Sequence, residues 1–321
     1  MNDARPLVDV AVGLVFDRDG RVLLGQRPAG KPYAGWWEFP GGKVEAGESV
    51  AEALARELHE ELGLVVRVSD PWIVREHSYP HARVRLHFRR VFDWSGEPVA
   101  REGQDFGWTR PDAIDREPLL PATVPILAML ALPRRVIGLA VDRLWYRPRA
   151  GLSDAEGAAD AGRHVRARAV FVLDVAGRSG PGSIDAAAVA QVSRVLERLR
   201  AIPGAVVCVG GAWPADLLEH VDGIVSGPAD LLAPQTGPGL RGLRIDRVEQ
   251  LELLGKVAAD FAVIAADVSA RTRELAVAMA CTPMPIYLLV TSSRNRGVEL
   301  PGLQGLASGW WPGAVPPIPV A

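Results

Sequence analysis

The sequence predicts two domains of different class, an α+β unit over residues 1–131 and an α/β unit over residues 132–321. Three observations carry that division. The first part mixes strand-like alternation with one helix that is capped at both ends. Leu132-Pro133 then halts a helix, and a new apolar run, RVIGLAV, begins directly after it. Beyond that point short apolar runs alternate with alanine- and leucine-rich helical runs, a pattern that implies a parallel sheet or barrel.

The elements follow in order. Residues 7–16 and 21–26 read as a β-hairpin around the Asp19-Gly20 turn. A loop rich in glycine, proline and aromatics, PAGKPYAGWWEFPGGK, comes next. A helix is expected from about Val50 to Leu62, because Ser49 with Glu52 makes a capping box and Gly63 stands where a C-cap glycine belongs. Strands are expected near 71–78 and 83–92, where Val84, Leu86 and Phe88 alternate with Arg85 and His87. Phe106–Thr109 and a helix around 124–131 complete the first domain. In the second, the strand candidates are 135–141, 167–175, 205–210, 222–226, 260–266 and 285–291.

Composition narrows the function. Basic and acidic residues number 36 and 38, a net charge of −2, so no global field marks the chain as a binder of nucleic-acid polymers or of membrane surfaces. Any phosphate recognition has to be local. The opening MNDARPLVDVAVG does not read as a secretory signal and no apolar stretch is long enough for a membrane span, so a cytoplasmic protein is expected. Cys208 and Cys281 stand alone in apolar surroundings and read as buried free thiols.

The chemistry is concentrated in GKVEAGESVAEALARELHEELGL, residues 42–64. On a helical wheel Leu54, Leu58 and Leu62 share one side, and Glu57, Glu60 and Glu61 share another. One stripe packs and one stripe binds. Three like charges within two turns repel unless a cation sits among them, and all-carboxylate ligation suits Mg²⁺ or Mn²⁺ better than Zn²⁺.

The complete spacing identifies a family. Gly42, five residues, Glu48, seven residues, Arg56-Glu57-Leu58, one residue, Glu60-Glu61, one residue and Gly63-Leu64 match every defined position of the Nudix box. Chance agreement is on the order of one in a billion per start site. WEFPGGK, Gln26-Arg27, GEPVAREGQ and PATVPIL extend the resemblance to the MutT branch, the 8-oxo-dGTP diphosphatases, over nearly all of residues 6–131. The resemblance implies a Nudix fold, with a mixed sheet between helices, and a Mg²⁺-dependent diphosphatase of nucleoside triphosphates or related diphosphates that sanitises the nucleotide pool. It implies metal ligation by Glu57, Glu60, Glu61, the Gly41 carbonyl and Glu102. Arg56 and Glu48 would brace the box through a salt bridge; Arg27 and Lys43 would face the phosphates, with Gly42 beside them and Phe39 near the base. Where similar enzymes carry a base-reading asparagine this chain has Thr123, whose single hydroxyl cannot reproduce an amide's paired donor and acceptor. Trp36, Trp37 and Trp108 are candidates to stack a base or to pack the core.

Residues 134–321 resemble thiamine phosphate synthase, a (β/α)₈ TIM barrel, through LPRRVIGLA, HVDGIVSG, AADFAVIA and PIYLL. The active-site strings of that family are replaced: VFVLDVAG, Gly210-Gly211, DVSART and Val290-Thr291-Ser292 stand in their places. A degenerate barrel without synthase activity is therefore expected. Three functional readings follow: a nucleotide pyrophosphohydrolase; a hydrolase of thiamine diphosphate or a damaged analogue; and a non-catalytic module in which the barrel senses a phosphorylated ligand or forms a homodimer.

Overall fold

The computed structural model describes residues 5–133 and, beyond them, 135–140, 170–174, 193, 195–197, 199–210, 215–227, 239–245, 248–254, 256–257, 259–264, 282–289 and 303–309. Cys281, Gly211, the DVSART loop and Val290-Thr291-Ser292 lie outside the described residues. Two compact units divide the chain between Ala131 and Leu132, with residues 282–285 grouping with the first. Among the described residues no helix is long and apolar enough to cross a membrane.

The first unit contains β1 (Leu7–Val15), β2 (Val22–Gln26), β3 (Trp37–Glu38), β4 (Gly41–Lys43), α1 (Val50–Leu62), β5 (Val65–Ser78), β6 (Arg83–Ser95), β7 (Phe106–Thr109) and α2 (Thr123–Ala131). They form a mixed four-stranded sheet in the order β4-β1-β6-β5, with β1 and β6 parallel, and a smaller antiparallel sheet in the order β3-β2-β7. The alternation of β1 explains the layering. Val12 and Leu14 point into a core shared with Ile126, Leu127 and Met129 of α2, whereas Ala11 and Val15 face Ala53, Leu54, Leu58 and Leu62 of α1. The sheet is thus buried on both faces. At Gly13 an added Cβ would stand 3.1 Å from Leu54 and 3.2 Å from Leu58, so the missing side chain lets α1 lie close to the sheet.

The hairpin expected from residues 7–26 forms only at its base. Phe16 bridges Val22, and Asp17 N–H donates to the Arg21 carbonyl at 3.0 Å, but β1 and β2 then diverge into different sheets. Strand β4, which had been hidden in a glycine-rich loop, pairs antiparallel with Val10–Val12. β5 begins six residues earlier than expected, at Val65.

In the second unit eight strands, all paired in parallel, close into a barrel: β8 (Arg135–Ala140), β9 (Val170–Asp174), β10 (Val206–Gly210), β11 (Gly223–Ser226), β12 (Leu240–Ile245), β13 (Phe261–Ile264), β14 (Ile286–Leu289) and β15 (Leu303–Gly309). Alternation again separates two faces. Cys208, Val225, Phe261, Val263 and Tyr287 form one cluster, and Val207 and Val209 pack instead on Leu196, Leu199 and Leu217. Tyr287 is fully buried, and its hydroxyl is satisfied by donating to the Pro133 carbonyl at 2.6 Å. Cys208 is a buried free thiol, and burial pushes its pKa far up. Two strands escaped the sequence reading, β12 and β15. At Gly242 an added Cβ would collide with the Phe261 ring, so packing removed the apolar side chain that would have announced β12.

Helix α1 starts and stops where its caps dictate. Ser49 Oγ accepts from Glu52 N–H at 3.3 Å, Glu52 Oε2 accepts from Ser49 N–H at 2.7 Å, and Gly63 closes the end at a φ of 71°. Ser49→Ala should lower the stability of the first unit by about 1 kcal/mol in urea titration, with Ser49→Asp largely preserving it. An alanine variant with the parental midpoint would show that the cap is dispensable.

Candidate functional site

The site is assembled at three places around α1. The Gly41-Gly42 strand runs past its acidic face, the Glu48 loop precedes its N-terminus, and the loop 99–104 is laid over its C-terminus.

Gly41 and Gly42 are glycines for different reasons. Gly41 adopts a φ of 144° and a Cβ there would overlap the Ala11 carbonyl; a Cβ on Gly42 would overlap the Glu57 carboxyl. The backbone therefore approaches the acidic stripe as closely as a backbone can, and the Gly41 N–H donates to Glu61 Oε2 at 3.3 Å.

The third piece depends on the carbonyls at the helix end. The last turn of any helix leaves C=O groups without intrahelical partners. Here Val99 N–H takes Leu62 O at 2.9 Å, Arg101 N–H takes Glu61 O at 3.0 Å, and Arg101 Nη1 takes His59 O at 2.9 Å. Buried Gln104 completes the splice: its Nε2 donates to Glu61 O at 3.3 Å and its Oε1 accepts from Glu102 N–H at 2.9 Å. Glu102 is thereby held beside the helix end.

The electrostatic consequence falls on Glu61. Burial is the largest cause, and the charges of Glu57 and Glu102 add to it; together they push the Glu61 carboxyl up to about 7. Arg56 offsets part of the remaining charge. Its guanidinium meets Glu48 at 2.8 Å, Glu57 at 2.9 Å and Glu60 at 3.2 Å, and donates to the Lys43 carbonyl at 3.1 Å. That contact holds the Glu48 carboxyl below its ordinary range, and Glu48 also accepts from Glu45 N–H at 2.6 Å.

Not every expected side chain stands where expected. Among the described residues no three His, Cys, Asp or Glu side chains surround a common point closely enough to hold an ion. Glu60 is turned outward, 57% exposed, onto Arg56, and Glu102 is paired with Lys31 at 3.2 Å. Gly41 presents its N–H to this cluster. The physical reason is charge: each of these two carboxylates is paired with one of the protein's own cations. Glu57, Glu61 and Glu102 nevertheless fit a hard divalent ion, since all are oxygen donors and their mutual repulsion is what such an ion relieves.

Arg27 is pinned at 2.5 Å to Glu38 and by its Nε to the Pro32 carbonyl at 2.6 Å. Burial pushes the Glu38 carboxyl up despite that partner. Phe39, expected near the base, is a buried core side chain, edge-on to Phe88 at 6.2 Å. Thr123 is buried at the start of α2. Lys43 projects into solvent from β4. Trp37 is in the core with Arg116 over its ring at 4.8 Å, Trp108 stacks on Trp94, and Trp36 packs against Tyr33. Sequence reasoning missed Lys31, Glu38 and Gln104, single polar residues in loops or a two-residue strand where no periodicity marks a role.

A pH dependence follows when divalent ions are chelated. Glu61 titrates near 7 when folded and near 4.5 when unfolded, so the folded state holds its proton more tightly. Between those values the unfolded chain ionises first, and this group's stabilising contribution is lost as pH rises, on the order of 3 kcal/mol in total. Glu61→Gln should therefore gain stability relative to the parent between pH 5 and pH 7 in urea titrations. A pH-independent difference between the two proteins would refute the shift.

A family model described as "NUDIX domain" matches residues 11–129. The chain is 42% identical over 122 residues to the CTP pyrophosphohydrolase of Escherichia coli K12, covering 38% of this chain and 90% of that protein. It is 36% identical over 126 residues to the 8-oxo-dGTP diphosphatase of Haemophilus influenzae, covering 39% of this chain and 93% of that protein. A crystal structure of a MutT NUDIX hydrolase from Burkholderia pseudomallei aligns with 31% identity over 38% of this chain and 97% of its own, at a TM-score of 0.36.

Proposed function

Since this chain belongs to the Nudix hydrolase family, whose members cleave phosphorus-containing acid anhydrides, we propose that it is a divalent-metal-dependent pyrophosphohydrolase of nucleoside triphosphates, oxidised ones such as 8-oxo-dGTP among them. The products would be a nucleoside monophosphate and pyrophosphate. The observation that carries this reading is Glu61, a half-buried carboxylate held between Glu57 and Glu102 with a glycine N–H at one oxygen.

Glu57, Glu61 and Glu102 would hold Mg²⁺ or Mn²⁺. Such an ion, when bound, neutralises phosphate charge and acidifies a coordinated water. The remaining work is the chain's own. Arg56 keeps Glu57 and Glu60 in place through a guanidinium anchored on Glu48 and on the Lys43 carbonyl. The missing side chains at positions 41 and 42 let the strand lie against the Ala11 carbonyl and the Glu57 carboxyl, which brings its backbone up to the acidic stripe. Lys43, exposed on the adjoining strand, supplies positive charge toward the phosphates.

Base preference is the finer question. Thr123 offers one hydroxyl, which favours a broader set of bases than an amide would. The two similar proteins, one named for CTP and the other for 8-oxo-dGTP, define the first substrates to compare. In the same reading the second unit, with its eight parallel strands, is a thiamine phosphate synthase-like TIM barrel in whose sequence the phosphate-cradling strings are replaced, and it serves as a scaffold.

Pyrophosphate release with Mg²⁺ should be measured for 8-oxo-dGTP, dGTP, CTP, dCTP and thiamine diphosphate. Turnover of at least one nucleoside triphosphate is expected, with Glu61→Gln slower by about a hundredfold or more. Equal rates for parent and variant would end the proposed mechanism, and turnover confined to thiamine diphosphate would redirect it to that substrate.

A further inference from the structure

We propose that Lys31 is a further substrate-contacting residue, which leaves Glu102 when substrate binds and pairs with the terminal phosphates of the nucleoside triphosphate. The inference rests on the pyrophosphohydrolase reading and adds a residue to it.

Lys31 lies at the tip of a loop whose two ends are fastened together. Arg27 N–H donates to Trp36 O at 2.9 Å and Gly35 N–H to Arg27 O at 2.9 Å; Gln26 Nε2 adds a bond to Gly35 O at 2.8 Å. Inside the loop, Arg27 Nε holds the Pro32 carbonyl at 2.6 Å. Tyr33 takes a φ of 61°, which a non-glycine residue adopts only under constraint, and its ring is packed by those of Trp36 and Tyr79. The loop is therefore a preformed arm, and the reach of Lys31 is set by its own four-carbon side chain.

That reach ends among the carboxylates of the site. Lys31 Nζ stands 3.2 Å from Glu102 Oε2, and its charge is felt at both Glu61 and Glu38. The pair with Glu102 is about half exposed on both sides, so it is a weak contact that can be exchanged cheaply. Two forces favour exchange. A polyphosphate carries several negative charges against one on Glu102, and an ion that recruits Glu102 as ligand takes Lys31's partner away. The ammonium is then a flexible cation beside the site that has given up its carboxylate partner. Before substrate arrives, the same ammonium competes with a divalent ion for Glu102.

This arrangement gives one substitution opposite effects on two measurements. In calorimetric titrations of the full chain, Lys31→Ala should bind Mn²⁺ alone about threefold more tightly, because Glu102 is released. The same variant should bind a non-hydrolysable nucleoside triphosphate, with Ca²⁺ present, about tenfold more weakly, while its affinity for the matching monophosphate changes less than about twofold. Lys31→Arg should restore most of the triphosphate affinity. A misfolded variant would weaken every ligand and could not tighten Mn²⁺. Equal losses for triphosphate and monophosphate, or no loss for either, would overturn the role of Lys31 while leaving the pyrophosphohydrolase reading intact. A parent protein that neither binds nor cleaves any nucleoside triphosphate would overturn both.

Discussion

Three carboxylates crowded at one half-buried corner repel each other, and much of the first unit is arranged to sustain that repulsion. The stabilisation comes from another face of the helix. Leu54, Leu58 and Leu62 are fully or almost fully buried, each worth roughly 1.5–3 kcal/mol of transfer free energy. The ion pairs of Arg56 are partly exposed and individually worth about 0–1 kcal/mol, too little to hold the acidic stripe in place by themselves. The apolar stripe anchors the helix, the two caps fix its ends, and the acidic stripe is left to carry charge at a net cost that a bound cation would repay.

This division of labour decides which neighbours must be glycine and which must be polar. Position 41 is empty of a side chain because the strand passes against the Ala11 carbonyl, and position 42 because it passes against the Glu57 carboxyl. Gln104 is buried and polar because it spans two backbone groups, one on the helix end and one on the Glu102 loop. A site built from a helix, a strand and a loop is kept in register by backbone hydrogen bonds, which do not depend on the ionisation state of the carboxylates. The charge can change while the frame stays.

How much of this was readable beforehand depends on how local the cause is. Helix α1 was legible to the residue, because Ser49, Glu52 and Gly63 act within one turn of the ends they define and the leucine stripe repeats within the helix. The acidic stripe was legible for the same reason. Strand β4 was not, because its glycines are dictated by the Ala11 carbonyl and the Glu57 carboxyl, contacts that appear only once the chain has folded back. β1 and β2 read as a hairpin because the Asp17–Arg21 turn is real, and only the wider sheet pairing shows that the strands part after Phe16. Phe39, expected near the base from its string, is a buried side chain of the core. Lys31 carried no periodic or motif signal at all, and its place beside Glu102, 71 positions along the chain, is purely tertiary.

The second unit has a different logic, in which β15 pairs with β8 and so makes the last strand of the barrel a neighbour of the first. A cylinder of this kind has no free rim along its length, and every strand borrows two partners. Loss of the chain from residue 303 onward, by an early stop, would therefore bare the open sides of both β8 and β14 at once. Bare strand sides recruit other chains, so the penalty for losing this one strand would be self-association of the whole protein rather than a local fraying.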